Sequence, residues 1–153
     1  MKLLFQCLIV IMVLSSNRCK NPPFVDVFHV ITIHNKSNES INFHDLSLRG
    51  VLHYPDTTLP VSKPILVKVN ATSSFDILSK EEWSEILKKL PADTLSIFIF
   101  DALVYEGTKW EEIRNDYKIL KRYDLSIEDL ERLNYTVTYP PTEEMKGIKM
   151  YPE

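Results

Sequence analysis

The chain has 153 residues, of which 18 are basic and 21 acidic, so its net charge is −3. This acidic balance argues against nucleic acid or anionic lipid as the main partner, because both attract basic surfaces. Only three glycines are present, and no GxGxxG or GxxxxGK run occurs. The sequence therefore has no motif for a phosphate-binding loop, and we expect no cofactor.

The first residues have the pattern of a secretory signal. Met1 and Lys2 carry positive charge, residues 3–14 are apolar apart from Gln6, and a short polar stretch follows before Cys19. As a helix, the apolar run would reach about 18 Å, which is short of the roughly 30 Å of a bilayer core. We therefore predict a signal peptide over residues 1–18 and no permanent transmembrane anchor.

Cys19 is the candidate for lipid attachment. Cys7 lies in the apolar run and would leave with the signal, so the mature chain keeps one cysteine and cannot form an internal disulfide. A lone thiol in an oxidising compartment needs a function, and acylation by chains such as palmitate fits this position. Arg18 departs from the small residue that a strict lipobox has here. The alternative is a soluble secreted protein, cleaved after Ser15 or Ser16.

Removal of residues 1–18 leaves 135 residues, with 16 basic and 21 acidic side chains and a net charge of −5. This length suffices for one domain with its own core. We predict a lipid-anchor cysteine and stiff proline-containing tether over residues 19–23, a single globular domain over residues 24–141, and an irregular C-terminal tail over residues 142–153.

The first half of the domain is predicted to consist of strands. Residues 24–33 and 41–43 are rich in β-branched and aromatic residues and are separated by a polar turn, which predicts a hairpin with a long loop. Residues 51–54 and 65–69 are two further short strand candidates, each bounded by turn-forming residues.

The second half alternates helices and strands. Capping boxes are predicted at residues 79–82 and 108–111, and Ser126 begins a third short helix. Strands are predicted over residues 94–100, 118–123 and 135–139. The connections are too short for a doubly wound sheet. We therefore predict an α+β fold, with an antiparallel-dominated sheet or small β-sandwich and about three short helices in the C-terminal half.

Four sequence phrases carry a resemblance to a known group. They are YPDT at residues 54–57, TLSIFIFDA at 94–102, YDLSIEDL at 123–130 and YTVTYPP at 135–141. The N-terminus has a charged start, then an apolar run, a polar stretch and a cysteine. With this N-terminus and the four phrases, the chain resembles the small lipoproteins of Bacteroidota that have no assigned activity. The resemblance covers most of the mature chain. It implies lipidation at Cys19 and a cell-envelope location, facing the periplasm from the outer membrane, but no activity.

Two carboxylates are candidates for chemistry. Asp101 directly follows the most apolar strand, a position that often carries sites, and Asp124 precedes the Ser126 cap. We predict that both stabilise turns, and we assign no catalytic residue. Trp83 and Trp110 share helical faces with other apolar residues, which favours core positions over a sugar or peptide groove.

The histidines do not form a recognisable metal motif. His29 and His34 are an odd number of residues apart, so they face opposite sides of one straight strand. His44 and His53 have no spacing typical of a ligand pair, and we predict no metal site.

The sequence predicts a lipid-anchored cell-envelope protein with a non-catalytic domain that binds a protein or glycan partner. The membrane would be contacted through the lipid on Cys19. The alternative is a periplasmic hydrolase in which Asp101 and a histidine meet in a cleft. A polar concavity that contains Asp101, a histidine and a hydroxyl would favour the hydrolase.

Overall fold

Eight strands form the framework of the protein, which is described here from a computed structural model over residues 28–45 and 59–152. In chain order they are β1 (His29–Asn35), β2 (Ile41–Asp45), β3 (Val67–Val69), β4 (Ser74–Ser79), β5 (Leu95–Asp101), β6 (Lys121–Leu125), β7 (Thr136–Tyr139) and β8 (Lys149–Tyr151). The predicted signal peptide, Cys19, the tether and the strand expected over residues 51–54 lie outside the described residues.

Four short α-helices accompany the strands, and within the described ranges all of them follow residue 82. They are α1 (Trp83–Leu87), α2 (Ala102–Gly107), α3 (Trp110–Asn115) and α4 (Ile127–Arg132). Single 3₁₀ turns occur at Pro91–Asp93 and Glu143–Met145. Within residues 28–45 and 59–152, no helix is both long and apolar enough to cross a membrane.

The strands form two sheets. One has three strands in the order β4-β1-β7, and the other has five in the order β3-β2-β5-β6-β8. In the three-stranded sheet β1 runs antiparallel to β4 and parallel to β7, whereas all pairings of the five-stranded sheet are antiparallel. The predicted α+β fold with antiparallel-dominated sheets is therefore confirmed.

The predicted hairpin between β1 and β2 is wrong, because the two strands belong to different sheets. Asn35, at the end of β1, is fully buried and fixes the crossing between them. Its Nδ2 donates to the carbonyl oxygens of Glu39, Val69 and Asn70 at 2.7, 3.3 and 3.1 Å, and its Oδ1 accepts from the Ser37 amide at 3.0 Å. The turn thus leads the chain into a second layer.

The main core lies between the two sheets. Ile31 and Ile33 of β1 and Val137 of β7 pack with Ile97 and Ile99 of β5, and all five are at most 1% exposed. The side chains of a strand alternate between its two faces. The other residues of β5 therefore point away from this core and need a second cover.

A second apolar cluster provides that cover. It contains Leu59, Phe98, Phe100, Tyr105, Trp110 and Ile113. The ring of Phe100 lies 5.9 Å from that of Tyr105 and 6.2 Å from that of Trp110. Trp110 Nε1 donates to the carbonyl oxygen of Pro60 at 2.8 Å, so the indole is both buried and hydrogen-bonded. The predicted strand at residues 94–100 is confirmed by β5, which is covered on both faces.

Both predicted capping boxes are absent. Ser79 is the last residue of β4 and pairs with His29 across the sheet, so it cannot cap α1, whose N-cap is Glu82 without a side-chain bond. Thr108 ends α2 by donating its amide to the carbonyl of Val104 at 2.9 Å. The helix start predicted at Ser126 is confirmed, and the structure adds a capping box there with Asp129, three residues later in the chain.

The expectation of an irregular tail over residues 142–153 is wrong. Met145 and Ile148 are 1% and 7% exposed and belong to the main core. Strand β8 pairs with β6, with Met150 opposite Tyr123. A three-residue strand carries too little local pattern to be recognised, because its stability comes from its partner strand.

The second core yields a stability prediction. Replacing Trp110 by Ala should lower the free energy of unfolding by about 3–5 kcal/mol, since a buried ring is lost and a cavity is left. Leu103→Ala is the control, because Leu103 is 77% exposed, and its effect should stay within about 0.5 kcal/mol. Urea unfolding followed by circular dichroism measures both. A loss below about 1 kcal/mol for Trp110→Ala would contradict the assigned packing.

Candidate functional site

Asp101 is the N-cap of α2. Its Oδ1 accepts a hydrogen bond from the amide of Val104 at 2.8 Å. This bond satisfies one of the free N–H groups at the start of the helix. The predicted turn-stabilising role of Asp101 is confirmed.

The cavity beside Asp101, about 200 Å³ in volume, lacks the histidine that the hydrolase alternative requires. It is lined by Ser37, Asn38, Glu39, Ser40, Ile41, Asp101, Leu120 and Tyr139. Burial, reinforced by the carboxylates of Asp101 and Glu39, raises the pKa of Tyr139. The phenol therefore keeps its proton at neutral pH and cannot act as the missing base.

Asp124 does not stabilise a turn, and the prediction for it is wrong. It lies within β6 with its side chain 2% exposed and accepts a hydrogen bond from Ser96 Oγ at 2.8 Å. Arg122 Nε lies 3.2 Å from its Oδ1, and Lys149 Nζ lies 3.8 Å from its Oδ2. The strand continues past Asp124 because β8 pairs with it, and the sequence does not signal β8.

The buried ion pair holds the edge of the five-stranded sheet together. Arg122 Nη1 donates to the hydroxyl of Tyr117 at 3.0 Å, and the guanidinium lies 5.7 Å from the ring of Tyr151 in β8. Ser96, opposite Asp124, and Asp101 stand near the two ends of β5. The two candidate acids therefore do not share a site, and the surroundings of Asp124 are those of a structural ion pair.

A larger cavity of about 400 Å³ opens where α1, α4 and the start of β1 meet. We call it the Trp83 cavity. Its lining residues are His29, Val30, Glu82, Trp83, Ser84, Glu131 and Tyr135. Its volume falls in the range of about 300–1,000 Å³ that is typical of small-ligand sites.

Trp83 lines this cavity and has an unsatisfied donor that is buried in the core. The side chain is 2% exposed and packs in the main core with Leu87, as its helical spacing predicts. Its indole Nε1–H is buried and has no hydrogen-bond partner among the described residues, whereas the indole of Trp110 is bonded to Pro60. A buried donor without an acceptor costs about 1–3 kcal/mol.

The backbone at one wall of the cavity is held in an unfavourable conformation. Asn134 and Tyr135, between α4 and β7, both have positive φ angles, 47° and 56°. The Tyr135 amide donates to Leu130 at 2.7 Å, and its carbonyl accepts from Thr32 at 2.8 Å. Such conformations cost of order 1–3 kcal/mol each, and the surrounding hydrogen bonds maintain them.

The cavity could not be recognised from the sequence, because it brings together three separate segments of the chain. Glutamates such as Glu82 and Glu131 are common on exposed helix surfaces, and His29 is a single histidine at the start of a strand. His34 lies five residues further along β1, on its opposite face. His44 is buried in β2, and His53 lies outside the described residues. The described residues contain no group of three metal-ligating side chains.

Comparison of the chain with protein-family models, curated proteins and solved structures finds no match. The interpretation of the Trp83 cavity therefore depends on its own chemistry.

The cap at Asp101 can be tested by a pair of substitutions. Asp101→Ala removes the acceptor and should lower the free energy of unfolding by about 1 kcal/mol, while Asp101→Asn should cost less, because Asn caps helices about as well as Asp. Urea unfolding measures both. If either variant proves more stable than the parent, the carboxylate is held at a functional site and not merely as a cap.

Proposed function

We propose that the protein is a lipid-anchored protein of the cell envelope whose domain binds a ligand in the Trp83 cavity without chemical conversion. The observation that carries the binding role is the Trp83 cavity itself, a concave space of about 400 Å³ that the side chains of His29, Ser84 and Tyr135 help to line. A concavity of this volume with a few polar side chains in its lining is typical of sites that bind a small ligand.

The chemistry of the cavity favours binding over catalysis. Ser84, His29 and two glutamates line it, but no hydrogen bond joins any of these side chains to another within the described part of the chain. An activated nucleophile needs its base within about 2.6–3.2 Å and a third group to orient the base. The Asp101 cavity contains no histidine, so no observation favours the alternative hydrolase.

The anchor is supported by the signal pattern, the single mature cysteine and the position of Cys19. His29, which lines the cavity, is only ten positions after Cys19 in the chain. Ten residues span at most about 36 Å when fully extended. An acyl chain on Cys19 would therefore hold the ligand site close to the membrane surface, where a partner in the same envelope compartment can reach it.

A cavity-filling substitution tests the binding role. Ser84 lies in α1, where Ser and Tyr have similar helix propensities. Ser84→Tyr should fill the cavity and abolish binding of fragments found by NMR screening of the intact protein in detergent, whereas Ser84→Ala should retain it. In the parent protein the amides of His29, Ser84 and Tyr135 should shift on binding. If no fragment shifts these amides, or if Ser84→Tyr binds as the parent does, the proposed function is wrong.

The anchor is tested by intact-mass measurement and detergent partitioning. The mature protein should begin at Cys19 with added acyl chains and enter the detergent phase, and Cys19→Ala should be released as soluble protein or remain as the precursor. Cys7→Ala, which changes the other cysteine, should leave processing unchanged. An unmodified chain that begins at residue 16 or 17 and stays in the aqueous phase would contradict lipidation.

A further inference from the structure

We propose that the outer edge of β4 is an interface at which two copies of this chain pair, so that their three-stranded sheets join into one antiparallel-centred sheet of six strands. The inference goes beyond the proposed function and is independent of the Trp83 cavity, because no residue of β4 lines that cavity.

The outer edge of β4 has backbone groups that no described strand pairs with. β4 ends the sheet order β4-β1-β7, with β1 on its inner side. The amide of Asn35 donates to Ser73 on the β4 side at 2.9 Å, whereas the amide of Thr32 donates toward β7 at 2.8 Å. Successive residues of a strand direct their backbone groups to opposite sides. The residues of β4 whose N–H and C=O groups point outward are therefore Ser74, Asp76 and Leu78.

Among the four sheet edges of the described ranges, β4 alone lacks a feature that discourages strand pairing. Natural edge strands are commonly protected by lysine, by proline or by being very short. β3 and β8 have three residues each and contain Lys68 and Lys149, and β7 has four and is followed by Pro140 and Pro141. β4 has six residues and contains neither lysine nor proline. It is therefore the edge best suited to accept another strand.

The side chains along this edge are also suited to being covered. Leu78 is 59% exposed and Phe75 is 40% exposed, and Ile77 is only partly buried against the main core. The one charged residue of β4, Asp76, accepts a hydrogen bond from the hydroxyl of Thr32 in β1 at 2.7 Å. An added strand would shield the apolar side chains without having to satisfy this carboxylate.

The sequence of β4 permits a self-complementary register, which favours a second copy as the partner. Two copies related by a two-fold axis keep their core faces on one side only if residues of equal parity face each other. The longest overlaps are then centred on Asp76 or on Ile77. The first places two carboxylates opposite each other, which is unfavourable. The second places Ile77 opposite Ile77, and the outward backbone groups of Asp76 bond to those of Leu78 in the other copy.

The proposed lipid anchor would favour this pairing, although the pairing itself requires no lipid. His29 pairs with Ser79, which lies two residues, or about 7 Å along the strand, from Ile77 at the two-fold axis. The two copies therefore begin β1 close to the axis, and their tethers, of at most about 36 Å, can reach one membrane. Confinement to one membrane raises the effective concentration, so a short interface can suffice.

Disulfide crosslinking of the intact protein in detergent tests the pairing and its register. In Ile77→Cys the new thiols face each other at a non-hydrogen-bonded pair, where Cα atoms lie about 4.5 Å apart, within the range for a disulfide. Lys68→Cys, at the centre of the β3 edge, is the matched control, and Phe75→Cys tests the register. After mild oxidation, the crosslinked fraction of Ile77→Cys should exceed at least fivefold those of both controls and of the parent with its native cysteines.

A proline substitution tests the role of the outward backbone groups. The N–H of Leu78 points away from β1, so Leu78→Pro removes a donor from the new interface and none from the existing sheet. Sedimentation equilibrium in density-matched detergent should show dimers of the parent and of Leu78→Ala, and at least tenfold weaker association of Leu78→Pro. Circular dichroism verifies that the variants are folded. If Leu78→Pro does not fold, the crosslinking experiment decides alone.

The opposite results would overturn the interface. They are a crosslinked fraction of Ile77→Cys no higher than that of Lys68→Cys, a monomeric parent, or a dimer that a folded Leu78→Pro leaves intact. None of these results affects the proposed function, because fragment binding to the Trp83 cavity and acylation of Cys19 are measured separately.

Discussion

The burial of β5 on both faces is the constraint on which the rest of the structure depends. Every side chain from Leu95 to Phe100 is at most 7% exposed. Because strand side chains alternate, Ile97 and Ile99 require cover on one face while Phe98 and Phe100 require it on the other. The three-stranded sheet provides the first cover, and α2 and α3 with the segment from Leu59 provide the second. A single sheet could not stabilise this strand.

The packing that covers β5 also positions the Trp83 cavity. Tyr123 of β6 donates its hydroxyl to the carbonyl of Thr138 in β7 at 3.0 Å, which links the two sheets, and burial raises the pKa of this phenol. Helices α1 and α4 contact each other beside this junction. Trp83 and Leu130 pack inward from them into the main core. The cavity is the concave surface left where these helices meet the start of β1.

The sequence predicts the elements whose pattern is local. Strand β5, strand β7 and the helix that begins after Ser126 are each recognisable within a dozen residues, and the structure confirms them. Features that depend on residues distant in the sequence are not predicted from local patterns. Asn35 redirects the chain through carbonyls of residues 69 and 70, Ser79 is drawn into β4 by pairing with His29, and Asp124 is buried by β8. The Trp83 cavity is likewise not predictable from local patterns, because its lining residues come from distant parts of the chain.

The indole resonances of the two tryptophans provide the most direct measurement of binding in the cavity. The Trp110 N–H is already bonded to Pro60, so it serves as an internal reference, whereas the Trp83 N–H has no partner among the described residues. On saturation of the ¹⁵N-labelled intact protein with a fragment that binds in the cavity, the Trp83 indole resonance should shift, because this ring lines the cavity, while that of Trp110 stays unchanged. An unchanged Trp83 resonance at saturation would contradict a ligand site built around this indole.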